Sequence, residues 1–285
     1  MRRILVNVVL LALFGLLVEG NRAHGQERKL LPTKGWGSLS GKVTLTGKMP
    51  AVESLVKKMM EHRDKDCCLA KDAKPNEKVD LTWIVDPKTN AIANVVVWVE
   101  SPKGTYLPTH QKYQKRDDET ILDQPHCAYL PRVAVFTPIY IDEKGKKVPT
   151  GQALTIKNSA TVAHNVRVVG GKYNEGFNVT VLAKTEIDAT KKLVPQRLPL
   201  PVKCDFHTWM GAHLFVTDHP YYAITREDGT FEMPIVPAGA EVNIMAWHEG
   251  VGFALKTVEG EKVTFGKTMT LKDGKNVLNF EVENK

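Results

Sequence analysis

The sequence predicts an all-β fold with one short helix, and three observations carry that expectation. Short runs rich in Val, Ile, Thr and Phe recur along the chain, many of them alternating apolar with polar residues. Turn pairs separate the runs: Asp86-Pro87, Lys144-Gly145, Gly170-Gly171, Asp228-Gly229 and Asp273-Gly274. Only one stretch carries a helical period. Strands this short, interrupted this often, pack as sandwiches rather than alternating with helices.

Taken in order, LSGKVTLTG (39–47) alternates and stops at Gly47. AVESLVKKMMEHRDKD (51–66) is the helix, with Val52, Leu55, Val56 and Met59 on one apolar face. AIANVVVWVE (91–100) is β-branched through its centre. QALTIKNS (152–159), HNVRVVG (164–170), NVTVLA (178–183) and HLFVTD (213–218) read as strands in the same way. So do GTFEMP (229–234), AEVNIMAWHE (240–249), KVTFG (262–266) and NVLNFEVE (276–283). This gives a linker over 26–35, an N-terminal β segment with its inserted helix over 36–90, a central sandwich over 91–218, and a C-terminal β unit over 219–285 opened by His219-Pro220. Strand 39–47 could also pair with the last unit across the sequence. There is no internal repeat and no low-complexity tract.

Residues 1–25 have the layout of an export signal. Arg2 and Arg3 precede the apolar run ILVNVVLLALFGLL (4–17), whose roughly 14 residues fall short of the ~20 that span a bilayer. Ala23 and Gly25 supply small side chains for cleavage before Gln26. The mature chain then has 260 residues, 36 basic against 31 acidic, and belongs in the periplasm or outside the cell. Lysines interleave with acids, as in KKMMEHRDKD (57–66), which describes a solvated surface and argues against nucleic acid as a partner. Oxidising compartments pair cysteines. The setting of Cys204 gives it other work, so Cys127 is expected to bridge Cys67 or Cys68; the two adjacent cysteines are poorly placed to bridge each other.

That other work is set by KCDFHTWM (203–210), where Cys204, His207 and Met210 follow the spacing Cys-x-x-His-x-x-Met. Forty residues upstream, NSATVAHNV (158–166) offers His164 followed by Asn165. A thiolate and two imidazoles in a plane, with a weak axial thioether, make a blue-copper electron-transfer site. The soft thiolate bonds copper strongly, imidazoles serve both oxidation states, and the thioether locks neither. Each residue alone has a plainer reading: Cys204 as a disulfide partner, His164 as a strand-edge histidine, Met210 as core filler. Their order within a β-rich exported chain sets them apart.

The stretch from about 127 to 217, with CAYLPRVAVF, GQALTIKNSATVAHNV and PLPVKCDFHTWMGAHLFV, resembles the cupredoxins, and its short ligand loop is similar to those of amicyanin and pseudoazurin. The resemblance implies a Greek-key cupredoxin sandwich, flanked here by smaller β-sandwich elements. It implies one type 1 copper ion on His164, Cys204, His207 and Met210, with Asn165 steadying the ligand loops. It also makes His207 the ligand nearest the surface, with Phe206, Trp209 and Pro201 as an apolar docking patch for a redox partner. The insert VFTPIYIDEKGKKVP (135–149) and the stretch between Asn178 and Cys204 enlarge the usual compact fold, and the resemblance says little about residues 51–90. ITREDGTFEMPIVPAGAEVNIMAWHE (224–249) resembles carboxypeptidase regulatory-like, transthyretin-type domains through its DG-x-F hairpin and Pro-x-Gly turn.

Other chemistries lack their residues. No His-x-His pair is present for an oxygen-reducing copper cluster, no second cysteine stands near the ligand loop for a binuclear centre, and no Cys-x-x-Cys clamp offers structural zinc. A copper brace needs an N-terminal histidine, and exposing His24 would put Asn21 at the −3 position of the cleavage site, where it fits poorly. His248 and Glu249 read as a surface pair at a strand end. His126, His213 and His219 read as surface or supporting residues near the motif. The expectation is an electron carrier with an unnamed redox partner, not a substrate-converting enzyme. The reading from another class is a secreted binding or scaffold protein of the cell envelope, with a structural or vestigial copper site, which the C-terminal unit favours.

Overall fold

The computed structural model describes residues 28–264 and 266–284. The export signal expected over 1–25 lies outside the described residues. Within them the chain is all-β apart from two short helices and two turns of 3₁₀ helix. No helix among the described residues is long and apolar enough to cross a membrane.

The first sandwich holds the motif. One sheet runs in the order Gly176–Val181, His164–Val169, Leu200–Lys203, Gly211–Val216, Val133–Phe136. The other runs Thr185–Asp188, Ala153–Asn158, Glu119–Asp123. Alternation explains the packing: Leu154 and Ile156 point inward from one sheet and meet Phe136, Val166, Val202 and Leu214 from the other in a single core.

The second sandwich draws on both ends of the chain. Its sheets run Tyr222–Ile224, Val96–Glu100, Glu241–Trp247, Lys267–Thr270 and Thr230–Pro237, Trp36–Gly47, Phe280–Asn284, Leu255–Thr257. The N-terminal strand therefore does pair with the last unit. Residues 96–100, expected in the central sandwich, belong here too, and the boundary at 91 moves accordingly. Their composition gives the reason. An unbroken apolar run suits a strand buried on both faces: Val97 and Val99 enter the second core, while Val96 and Trp98 turn the other way. There they meet Val133, Val135, Phe215, Met245 and Trp247, which weld the two sandwiches together.

Three further expectations change. The linker is not loose throughout: Lys29–Leu30 pairs with Thr105–Tyr106, and Leu31 is buried in the second core. KVTFG is no strand in its described part; strands lie on either side of it, and Val263 fills the core instead. The single helix over 51–66 is two, Val56–Met60 and Lys65–Cys68. The chain turns between them so that Leu55 and Met59 from one side, and Cys67 and Cys68 from the other, all reach the first core, leaving Val52 exposed. Cys68 is bonded to Cys127 across 59 residues, and Cys67 is free and buried. Closing a loop of that size contributes about 4 kcal/mol in the chain-entropy account. The insert over 51–80 is thus stapled onto the first sandwich.

Candidate metal centre

Strand pairing builds the site. Leu200–Lys203 and Gly211–Val216 are antiparallel neighbours with Lys203 opposite Gly211, so residues 204–210 must turn back on themselves at one end of the sheet. Met210 N donates to the His207 carbonyl at 2.9 Å, which closes that turn. His164 opens the neighbouring strand His164–Val169, whose register sets Arg167 opposite Lys203. A strand start and a loop thereby meet, and His164, Cys204, His207 and Met210 are all buried there.

Three donor atoms converge. His164 Nδ1 and His207 Nδ1 are 3.1 Å apart, and Cys204 Sγ lies 4.0 Å from the first and 3.8 Å from the second. An ion held at roughly 2.0 Å from each nitrogen and roughly 2.3 Å from the sulfur requires donor separations of this order. Burial pushes the His164 imidazole down to about 4, helped by His207, while the His126 carbonyl and Asp64 oppose the shift. Burial also pushes His207 down to about 4, helped by His62 and opposed by Asp64. Both rings are therefore neutral near pH 7, the form that can ligate. Burial raises the Cys204 thiol against the pull of the Asn165, His207 and Phe206 amides. A bound cation would supply the charge that makes it a thiolate. The residues fit a copper ion: His164, His207 and Cys204 would hold it, with Met210 on the same loop beside them.

Asn165 ties the loop to the strand. Its Oδ1 accepts from the amides of Asp205 at 2.6 Å and Phe206 at 3.3 Å and from the Cys204 thiol at 3.3 Å. Its Nδ2 donates to Asn178 Oδ1 at 2.7 Å and Asp205 Oδ2 at 3.0 Å. Two aromatic side chains reinforce the same junction. The Tyr129 hydroxyl, buried in the core, donates to the carbonyls of Asn165 at 2.6 Å and Lys203 at 3.1 Å. Trp209 Nε1 donates to the carbonyl of Cys127 at 3.1 Å, so the ligand loop leans on the disulfide.

Comparison with known proteins gives little beyond this geometry. No family model matches the chain, and no curated protein does. Among solved structures, 35% of the chain aligns with the whole of a purple cupredoxin from Nitrosopumilus maritimus, at 16% identity and a TM-score of 0.25. An overlap that slight assigns no family.

His207, expected as the ligand nearest the surface, does not reach it: its side chain is 0% exposed. The insert covers it. The His62 ring stands 4.5 Å from the His207 ring, Trp209 lies at 5.4 Å, and Asp64 Oδ2 comes within 3.2 Å of His207 Nε2. Phe206 alone of the expected apolar patch is exposed, at 38%. The one sequence signal that pointed to this cover was the expected bridge from Cys67 or Cys68 to Cys127, which already brings the insert to the motif's sandwich.

The other histidines have structural partners. His126 Nδ1 meets the buried Glu77 at 2.8 Å and so pins the far end of the insert. His213 packs on Trp247, and His219 stacks on Tyr221. None of these three belongs to a converging donor group among the described residues. His248 and Glu249 are not a surface pair: His248 is fully buried against Trp83, and Glu249 turns away to make two bonds with Arg132, at 2.6 and 2.8 Å. A neutral imidazole can enter an apolar core, whereas a carboxylate needs its guanidinium.

Proposed function

We propose that this chain is an exported copper protein with one type 1 site, working as an electron carrier. The observation that carries the reading is the convergence of two buried imidazole nitrogens and one thiol within 4.0 Å, where the start of strand His164–Val169 meets a loop that also carries Met210. Copper on such a set would supply a one-electron couple. The protein's part is to hold the donors at fixed separations, keep both imidazoles neutral, and exclude water. Four side-chain ligands leave no open position for a substrate, unlike catalytic metal sites. The hydrophobic run near the N-terminus and the Cys68–Cys127 bridge support an oxidising compartment outside the cytoplasm.

The second sandwich, with its resemblance to carboxypeptidase regulatory-like domains, would serve as the platform through which the chain meets the cell envelope. The complete burial of His207 favours one rival, in which copper is structural and the chain is an envelope scaffold. One experiment separates them. The copper-loaded protein should show an intense thiolate-to-copper absorption band, cycle reversibly with a soluble reductant, and lose the band in Cys204→Ser while keeping its β circular dichroism. A serine variant that keeps the band overturns the site; a coloured protein that cannot be cycled leaves the scaffold reading.

A further inference from the structure

A four-ligand copper site needs no cover, yet the insert over 51–80 places charged and aromatic side chains against one of its ligands. His207 turns Nδ1 toward His164 and Cys204, so Nε2 faces the insert. There Asp64 Oδ2 lies 3.2 Å away, within hydrogen-bonding distance though off the ring's N–H axis. Asp64 is firmly placed. Its carbonyl accepts from Cys67 and Cys68 at 3.0 and 3.1 Å, its amide donates to His62 Nδ1 at 3.2 Å, and Cys68 is bonded to the sandwich.

Its side chain does something unusual for its position. Asp64 occupies the N-cap of Lys65–Cys68, where an aspartate ordinarily accepts a backbone N–H from the first turn. Here the carboxylate caps nothing and is directed at His207 instead. His62, Asp64 and His207 also sit close enough to suggest a second metal site. The bonds of His62 argue against it. Nδ1 accepts the Asp64 amide, and Nε2 faces the Phe206 carbonyl at 3.1 Å and so carries the ring hydrogen. No lone pair on His62 is left for an ion.

We infer that Asp64 is a positioning residue for the metal ligand His207, an inference that rests on the copper reading of the site. The carboxylate's charge beside Nε2 favours the ring hydrogen there and leaves the Nδ1 lone pair for the ion. Its negative charge also favours Cu(II) over Cu(I). Carboxylates in this relation to a ligating histidine orient the ring and raise its basicity, and their loss typically weakens metal binding about 10- to 100-fold. The insert is thus part of the metal centre: a disulfide-stapled cover that brings one carboxylate to the outer nitrogen of one ligand.

The test compares full-length wild type, Asp64→Asn, Asp64→Glu and Asp66→Asn, where Asp66 is an exposed neighbour on the same short helix. Each is assayed for Cu(II) and Cu(I) dissociation constants by chelator competition, for reduction potential, and for an intact Cys68–Cys127 bridge by peptide mapping. Asp64→Asn is expected to weaken Cu(II) at least about tenfold with a smaller effect on Cu(I). Each tenfold difference between the two raises the potential by about 59 mV. Asp64→Glu should recover part of the shift, and Asp66→Asn should show almost none. A coloured wild type whose potential and copper affinities respond no more to Asp64→Asn than to Asp66→Asn overturns the role of Asp64 alone. A wild type that binds no copper with a thiolate band overturns the copper reading and this inference with it.

Discussion

Asn165→Leu removes the polar atoms that join the ligand loop to its strand while keeping the side chain's branched shape. Its Oδ1 takes the amides of Asp205 and Phe206 and the Cys204 thiol, all at a buried position. Leucine offers no acceptor, so two amides lose their partner, at about 1–3 kcal/mol each when water cannot replace it. The Phe206 bond is long at 3.3 Å, and the thiol is a weak donor, so the Asp205 amide, bonded at 2.6 Å, bears most of the loss. The lost Nδ2 bonds run to Asn178 and Asp205, near solvent, and are largely replaceable. The sum is about 2–4 kcal/mol. Urea unfolding of metal-free protein with the disulfide intact measures it as a shift in midpoint at constant slope. Tryptophan emission follows the loop through Trp209, while circular dichroism follows the sheets. A loss below about 0.5 kcal/mol by both probes would show that the loop is held by its turn and by Trp209, and that Asn165 is dispensable.

Removing the bridge through paired Cys68→Ala and Cys127→Ala changes should cost about 4 kcal/mol in the same urea assay and make 51–80 the first region to exchange its amide hydrogens; unchanged protection there would mean that Leu55, Met59 and the Glu77–His126 contact suffice. His248 gives a pH dependence outside the metal centre. Burial holds it down to about 4 from 6.5, so the unfolded chain takes up a proton that the folded one refuses. Stability is therefore full above about 6.5 and falls as pH drops toward about 4, by up to about 3 kcal/mol from this ring. His248→Asn keeps an acceptor for the Gly250 amide, which bonds His248 Nδ1 at 3.2 Å, but cannot be protonated. The variant should lose less stability than wild type between pH 6.5 and 4, and parallel curves would refute the assignment.

The clustering of His164, Cys204 and His207 and most strands were legible from the chain because their information is local. Cys204, His207 and Met210 share one loop, and a loop between antiparallel neighbours must bring its own side chains together. Strand 164–169 shows itself by composition, and His164 stands at its start. The free choice between Cys67 and Cys68 was not legible, since adjacent residues have the same spacing to Cys127. It was settled by the helix Lys65–Cys68, which buries both but brings Cys68 within bonding reach of Cys127 and leaves Cys67 free.

Sequence alone determined which donor side chains would stand together, through residue type and short spacing, and where the chain would be extended, through its alternation and turn pairs. The partner of each strand, and the cover over each ligand, waited on the tertiary structure. Val96–Glu100 is apolar on both faces, and nothing in such a run says which sheet it will join. His62 meets the ligand loop at Phe206 across 144 residues, and Asp64 reaches His207 with no shared motif. The physical reason is one of range. Backbone periodicity and ligand spacing act over a few residues, whereas burial and charge pairing act over a few ångströms, and only the folded chain brings residues so distant in sequence within that reach.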